Sequence, residues 1–173
     1  PACKHSLSHQ GFFILLNESA SKTSMYYVDQ NNMFTSAYSS FKFPTDRNDE
    51  LTCGFSLGRN LYISAKYKIF RLGYIGGNPD WEYVEVRGWG FVPKTVKKIS
   101  LSDGSEVIIG LDWTKKLRIF TGTDDVVLSD HIQKDNGITP FYLDNVDGIN
   151  VKKCWAESDR KAQIYRLFLV YGN

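Results

Sequence analysis

Apolar residues along this chain come in short runs rather than in helical stripes. Val107-Ile108-Ile109 is one such run and residues 117–121 are another, with the polar link Asp112-Trp113-Thr114-Lys115-Lys116 between them. Two β-branched runs joined by a few polar residues predict a β-hairpin. The same order of features returns over residues 5–32, 51–78, 96–125 and 151–173: a short leading strand, a polar or Gly-containing turn, a central strand, and a final strand running into Gly, Asn or Asp. Central strands begin near Phe12, Leu61, Val107 and Ala162, at spacings of 49, 46 and 55 residues. Final strands fall at residues 25–28, 69–72, 117–120 and 168–171. The third and fourth segments both open on Val-Lys-Lys, at residues 96–98 and 151–153, which puts their lysine pairs at equivalent repeat positions. A plainer expectation competes with the repeat: any all-β chain produces hairpins at loosely regular intervals.

Between the repeats lie connectors. Residues 33–50 carry Tyr38, Phe41 and Phe43 and then a polar run. Residues 82–87 alternate strictly, so they predict a strand with Tyr83 and Glu85 on one face and Val84 and Val86 on the other. Gly88-Trp89-Gly90 breaks that strand and Pro93 ends it. Val126-Val127-Leu128 and Phe141-Tyr142 predict two more short strands, with a turn at Asp135-Asn136-Gly137. Residues 155–167 hint at a helical period without sustaining one. The fold class is therefore all-β, in a single repeat domain over residues 1–173 or part of a larger one. A spacing near 50 residues with several short strands per unit points to β-propeller blades, about four of them, with a β-trefoil or a sandwich as alternatives.

Composition narrows this picture only a little. The 173 residues suffice for one domain with a real core, and 42% hydrophobic content is a globular value. Tyr and Phe are abundant, 10 and 11, as strands favour. A net charge of +2 is too small to argue for nucleic acid or a membrane on its own. No apolar run reaches the roughly 18 residues of a membrane span, and no secretory leader is visible. Cys3, Cys53 and Cys154 are odd in number and far apart, which reads as free thiols in a reducing compartment, cytoplasm or nucleus. Against that setting the sequon Asn17-Glu18-Ser19 carries little weight.

The repeat unit resembles that of the regulator-of-chromosome-condensation type of β-propeller. The resemblance lies in an apolar strand ending in Leu, a polar link, and an aromatic strand running into Gly or Asn. The matching stretches are residues 13–16 with 27–31, 61–64 with 72–78, 107–111 with 120–122, and 163–167 with 171–173. The family's Cys-Gly-x-x-His turn survives as Cys53-Gly54-Phe55-Ser56 and faintly at His5-Ser6-Leu7, and its Gly-Gln-Leu-Gly closing motif is absent. Tectonin repeats of lectin-like propellers look similar. Full members have seven blades. The resemblance therefore implies four compact blades, a fragment of a larger propeller, or a blade shared between the first and last segments.

Candidate chemistry is sparse. Cys3, His5 and His9 lie together, but four-residue spacing aligns ligands on a helix and this stretch reads as strand and turn, so no metal site is expected. His131 stands without a nucleophile elbow. Asp124-Asp125 and the loop Asp144-Asn145-Val146-Asp147-Gly148 lack the spacing of an ion-binding loop. Residues 73–78 are Gly-rich without the Lys-Ser/Thr of a phosphate loop. The lysine pairs Lys97-Lys98, Lys115-Lys116 and Lys152-Lys153, with Arg59, Lys66, Lys68 and Arg71, could line one face as a basic patch for phosphate or an acidic partner. Ordinary solvated lysine on edge strands is the competing account. Trp81, Trp89 between two glycines, Trp113 in its hairpin link and the nearby Arg87 are candidate contact residues, whereas Trp155 reads as blade packing.

These features predict a non-catalytic protein–protein interaction scaffold that displays loops, with no cofactor and no membrane. Nucleic acid is a weaker partner class. The alternative is carbohydrate binding by exposed Trp or Tyr of a lectin-like propeller. An enzyme using the acidic loops would need two carboxylates converging in a cleft.

Overall fold

The computed structural model describes residues 2–29, 31, 38–46, 49–76, 80–130, 150–159 and 162–170. His131, the loop at residues 144–148, the strand expected at Phe141-Tyr142 and the end of the fourth segment at residues 171–173 lie outside them. The described chain is all-β, built from four small antiparallel sheets, and divides into two compact units, residues 1–90 and 91–173.

The first unit holds two four-stranded meanders. Strands β1 (Cys3–His9), β2 (Phe12–Glu18), β3 (Ser24–Asp29) and β4 (Ser39–Lys42) pair in chain order. So do β5 (Leu51–Leu57), β6 (Asn60–Ala65), β7 (Ile69–Tyr74) and β8 (Trp81–Arg87). Turn chemistry fixes the registers. Gln10 and Gly11 both take positive φ, 45° and 84°, and close the two-residue hairpin that sets His9 opposite Phe12. The two sheets pack face to face, with β1 and β2 against β5. Ile14, Leu16, Met25, Leu61, Ile63, Phe70 and Trp81 fill the space between them. Rings of Phe12, Tyr27, Tyr74 and Trp81 meet at 4.7–6.2 Å, mostly edge to face. Gly90 closes the unit against β6. A Cβ there would stand 1.6 Å from the Ala65 carbonyl oxygen, so no other residue fits.

The second unit repeats the plan. A 3-10 turn at Pro93–Thr95 leads into a third four-stranded meander, β9 (Lys97–Ser100), β10 (Glu106–Leu111), β11 (Leu117–Phe120) and β12 (Asp125–Val127). A second 3-10 turn, Val151–Lys153, leads into a two-stranded sheet, β13 (Trp155–Asp159) and β14 (Ile164–Phe168). Strand β13 lies against β9. Val92, Leu111, Val151 and Cys154 form one small core here, and Ile99, Val107 and Ile109 another.

The organising hairpin, residues 107–121, forms as β10 and β11. The expected three strands per repeat become four, because the connectors carry the missing one: β4, β8 and β12 follow the predicted final strands. Leading strands β1, β5, β9 and β13 begin 46–58 residues apart. The hint of helix over residues 155–167 gives way to the β13–β14 hairpin. The fourth segment's central strand begins at Ile164 rather than at Ala162, and its expected final strand does not follow within the described residues: Phe168 is the last residue of β14.

Cys3, Cys53 and Cys154 are all free thiols, Cys3 half-buried and the other two buried. Burial pushes the Cys53 thiol up to about 12. The sequon residue Asn17 is buried, and its amide donates to the Leu51 carbonyl at 2.7 Å, so it has no room for a glycan. No helix of the described residues is long and apolar enough to cross a membrane.

Candidate functional site: a lysine-rich end of the second unit

Three turns meet at one end of the second unit. The first is the 3-10 turn at Pro93–Thr95, held by the fully buried Thr95. Its hydroxyl donates to the Val92 carbonyl at 2.7 Å and accepts from the Leu111 N–H at 2.9 Å. That ties the turn to the last residue of β10.

The second turn is the β10–β11 link, and Asp112 builds it. Its Oδ1 accepts from the Thr114 N–H (2.8 Å), the Thr114 hydroxyl (2.7 Å) and the Lys116 N–H (2.9 Å). Its Oδ2 accepts from Arg118 Nε at 2.5 Å, and Arg118 reaches on to Asp125 at 2.8 Å. The carboxylate is wholly buried, yet every oxygen is paired, which is the condition for keeping such a charge inside. Trp113 leans on the small core beside Val92 and Leu111 and donates its Nε1–H to the Phe91 carbonyl at 3.0 Å. The third turn, Val151–Lys153, packs on the first through Val151, Val92 and Leu111. Burial raises the Tyr165 phenol, which ties β14 to the same end by donating to the Thr95 carbonyl at 2.9 Å.

The result is a concentration of positive charge. Lys94, Lys115, Lys116, Lys152 and Lys153 stand on the three turns, and Lys97 begins β9 beside them. Among the described residues Lys94, Lys97, Lys116, Lys152 and Lys153 have no carboxylate within salt-bridge distance. The acid on these three turns, Asp112, is consumed by its own turn. Low-dielectric backbone behind several like charges raises the local potential and favours an anionic partner.

The expected patch is thus partly regrouped. Lys97 and Lys98 are strand neighbours pointing to opposite faces, and Lys98 pairs with Glu106 at 2.9 Å. The shared Val-Lys-Lys is not structurally equivalent: its first copy enters strand β9, while its second forms a 3-10 turn. Lys94, not Lys97, matches Lys152. Arg59, Lys66, Lys68 and Arg71 belong to the first unit. Arg59 and Lys66 sit on turns at opposite ends of their sheet, and Lys68 pairs with Glu85 at 3.0 Å.

The tryptophans sort differently from expectation. Trp81 is 1% exposed and belongs to the core, so it presents no contact surface. Trp155, expected inside, is 40% exposed and stacks on its cross-strand partner Phe168, ring centroids 3.9 Å apart. Trp89 and Arg87 are half-buried in the first unit, and Arg87 Nη1 donates to the Val86 carbonyl at 2.6 Å. His5 and His9 share the inward face of β1. His9 Nδ1 lies 2.8 Å from Ser56 Oγ, and burial lowers the pKa of both rings. Among the described residues no group of three or more His, Cys, Asp or Glu side chains is arranged to hold a metal. Asp112, the residue on which the site turns, was written in the sequence as an Asp just after an apolar run with Thr two positions on, a side-chain-capped turn signature.

Fold and site together define an all-β chain with a lysine-rich end. No known protein family matches the chain, and no curated protein matches its sequence.

Proposed function

We propose that this chain is a non-catalytic protein–protein interaction scaffold of β-propeller type, related to the regulator-of-chromosome-condensation or tectonin-like repeats, and that it takes an acidic partner segment on its lysine-rich end. One observation carries the reading. The same meander recurs in chain order, and within each unit the leading strands of successive sheets lie side by side, β1 with β5 and β9 with β13. Blades around an axis have this relation, and such scaffolds bind through the turns at their ends. Three unpaired thiols fit a cytoplasmic or nuclear setting.

The test is binding of a deca-glutamate peptide followed by fluorescence anisotropy. The triple variant Lys116→Glu, Lys152→Glu, Lys153→Glu should weaken it at least about tenfold, and raising salt to 0.5 M should do the same, because exposed charges are screened over about 8 Å already at physiological ionic strength. The variant should melt where the parent does. Binding that ignores both changes removes the lysine end from the mechanism. A preference for a single-stranded oligonucleotide over the peptide would move the partner class to nucleic acid.

A further inference from the structure

The first unit carries a cleft that the lysine-rich end does not use. It lies on β6, β7 and β8 at the end where β6 begins, has a volume of about 320 Å³, and is lined by the side chains of Asn60, Arg71, Glu82 and Val84, by Gly73, and by Leu72 and Tyr83 between them. Register explains the hollow. Gly73 stands opposite Glu82, and Arg71 stands opposite Val84. Where the neighbouring strand positions carry side chains, Gly73 carries none, and Glu82 folds into part of the space. A Cβ on Gly73 would lie 3.4 Å from Glu82 Oε1.

The charges in this cleft are not spent on each other. By contrast Lys68, just before β7, closes to 3.0 Å on Glu85 of β8. Arg71 and Glu82 are diagonal neighbours instead, roughly 7–8 Å apart at Cα in an antiparallel pair, and they form no salt bridge. A guanidinium therefore faces one side of the cleft and a carboxylate the other. Asn60, whose amide both donates and accepts, stands between strand ends, and the exposed Val84 adds an apolar wall. The volume is that of a small-ligand pocket.

We propose that this cleft binds a small zwitterion of the amino-acid or short-peptide class. Its carboxylate would lie against Arg71, which offers a planar fork of donors matched to that group. Its ammonium would lie against Glu82, and Asn60 would take the polar atoms between. A ligand with only one charge satisfies only one wall. The Tyr83 ring offers a neutral sugar no platform, because it lies on the opposite face of β8, packed on Phe41, Phe43 and Phe70, and the Tyr62 ring opposite Arg71 is buried.

Two-dimensional amide NMR of the full chain, titrated with glycylglycine, tests this. The proposal expects saturable shifts at residues 71–73 and 82–84. It expects at least a tenfold weaker dissociation constant in Arg71→Ala and in Glu82→Gln, and loss of binding in Gly73→Val, which fills the floor. Acetate, ethylammonium and glucose should leave these amides in place at the same concentration. Absence of shifts, shifts that survive both charge variants, or an equal response to glucose would each overturn it. Because Arg71 and Glu82 are exposed, their variants keep the fold, and an unchanged melting temperature verifies that. The lysine-rich end lies in the other unit, so failure of either assay leaves the other standing.

Discussion

Asp112 shows how one side chain sets a local structure. Four donors converge on its carboxylate, the Thr114 N–H and hydroxyl, the Lys116 N–H and Arg118 Nε, so removing the carboxylate strands them. Asp112→Ala should cost roughly 3–5 kcal/mol, the range for breaking a buried ion pair from one side, and urea denaturation measures it. A double-mutant cycle with Arg118→Ala should give clear non-additivity. His5 and His9 act through protons. Burial depresses both imidazoles, with Lys4 adding to the effect at His5 and Glu50 opposing it. The unfolded chain thus binds protons first as pH falls. Their contribution is intact above the ordinary value of 6.5 and is lost as pH drops from there through the depressed folded values. Denaturation midpoints should decline between pH 7 and pH 5, and the double variant His5→Gln, His9→Gln should flatten that slope.

Strands and turns were the scale at which the sequence was most legible. Period-two alternation and β-branched runs located β2, β3, β6, β7, β10 and β11, because each must bury one face or both. Residues 82–87 were visible for the same reason. Strand β4 was not, since Ser39, Ser40 and Lys42 carry no apolar alternation and pair only because β3 offers an edge. The lysine end was half legible. Lysine pairs are evident in any reading of the chain, but the apparent Val-Lys-Lys repeat misled. Which residues enter a strand and which stay in a 3-10 turn is decided by what Val151 and Thr95 pack against, a tertiary matter. Trp81 and Trp155 were exchanged for a similar reason. Both begin strands, and only the opposing sheet distinguishes a ring with Phe12, Tyr27 and Tyr74 around it from one with Phe168 alone. The cleft at Gly73 had no sequence signal, because it arises from which residues face each other across β7 and β8.

At the scale of the whole chain, the first unit holds one large core cluster and the second holds two small ones. Trp81→Ala removes the largest buried side chain of the first and should cost about 3–5 kcal/mol there. Hydrogen exchange should then quicken in β2, β3, β6 and β7, while amides of β10 and β11 keep most of their protection; equal loss everywhere would mean that the units fold as one cooperative block. The three thiols add a use of their own. Each unit holds one sealed cysteine, Cys53 in the first and Cys154 in the second, and Cys3 is the accessible third. A thiol reagent meets Cys3 in the native chain but must wait for an opening event before it reaches the other two. The second and third phases of labelling are therefore two chemical stopwatches, started together and read by mass, that time how often each half of the molecule comes apart.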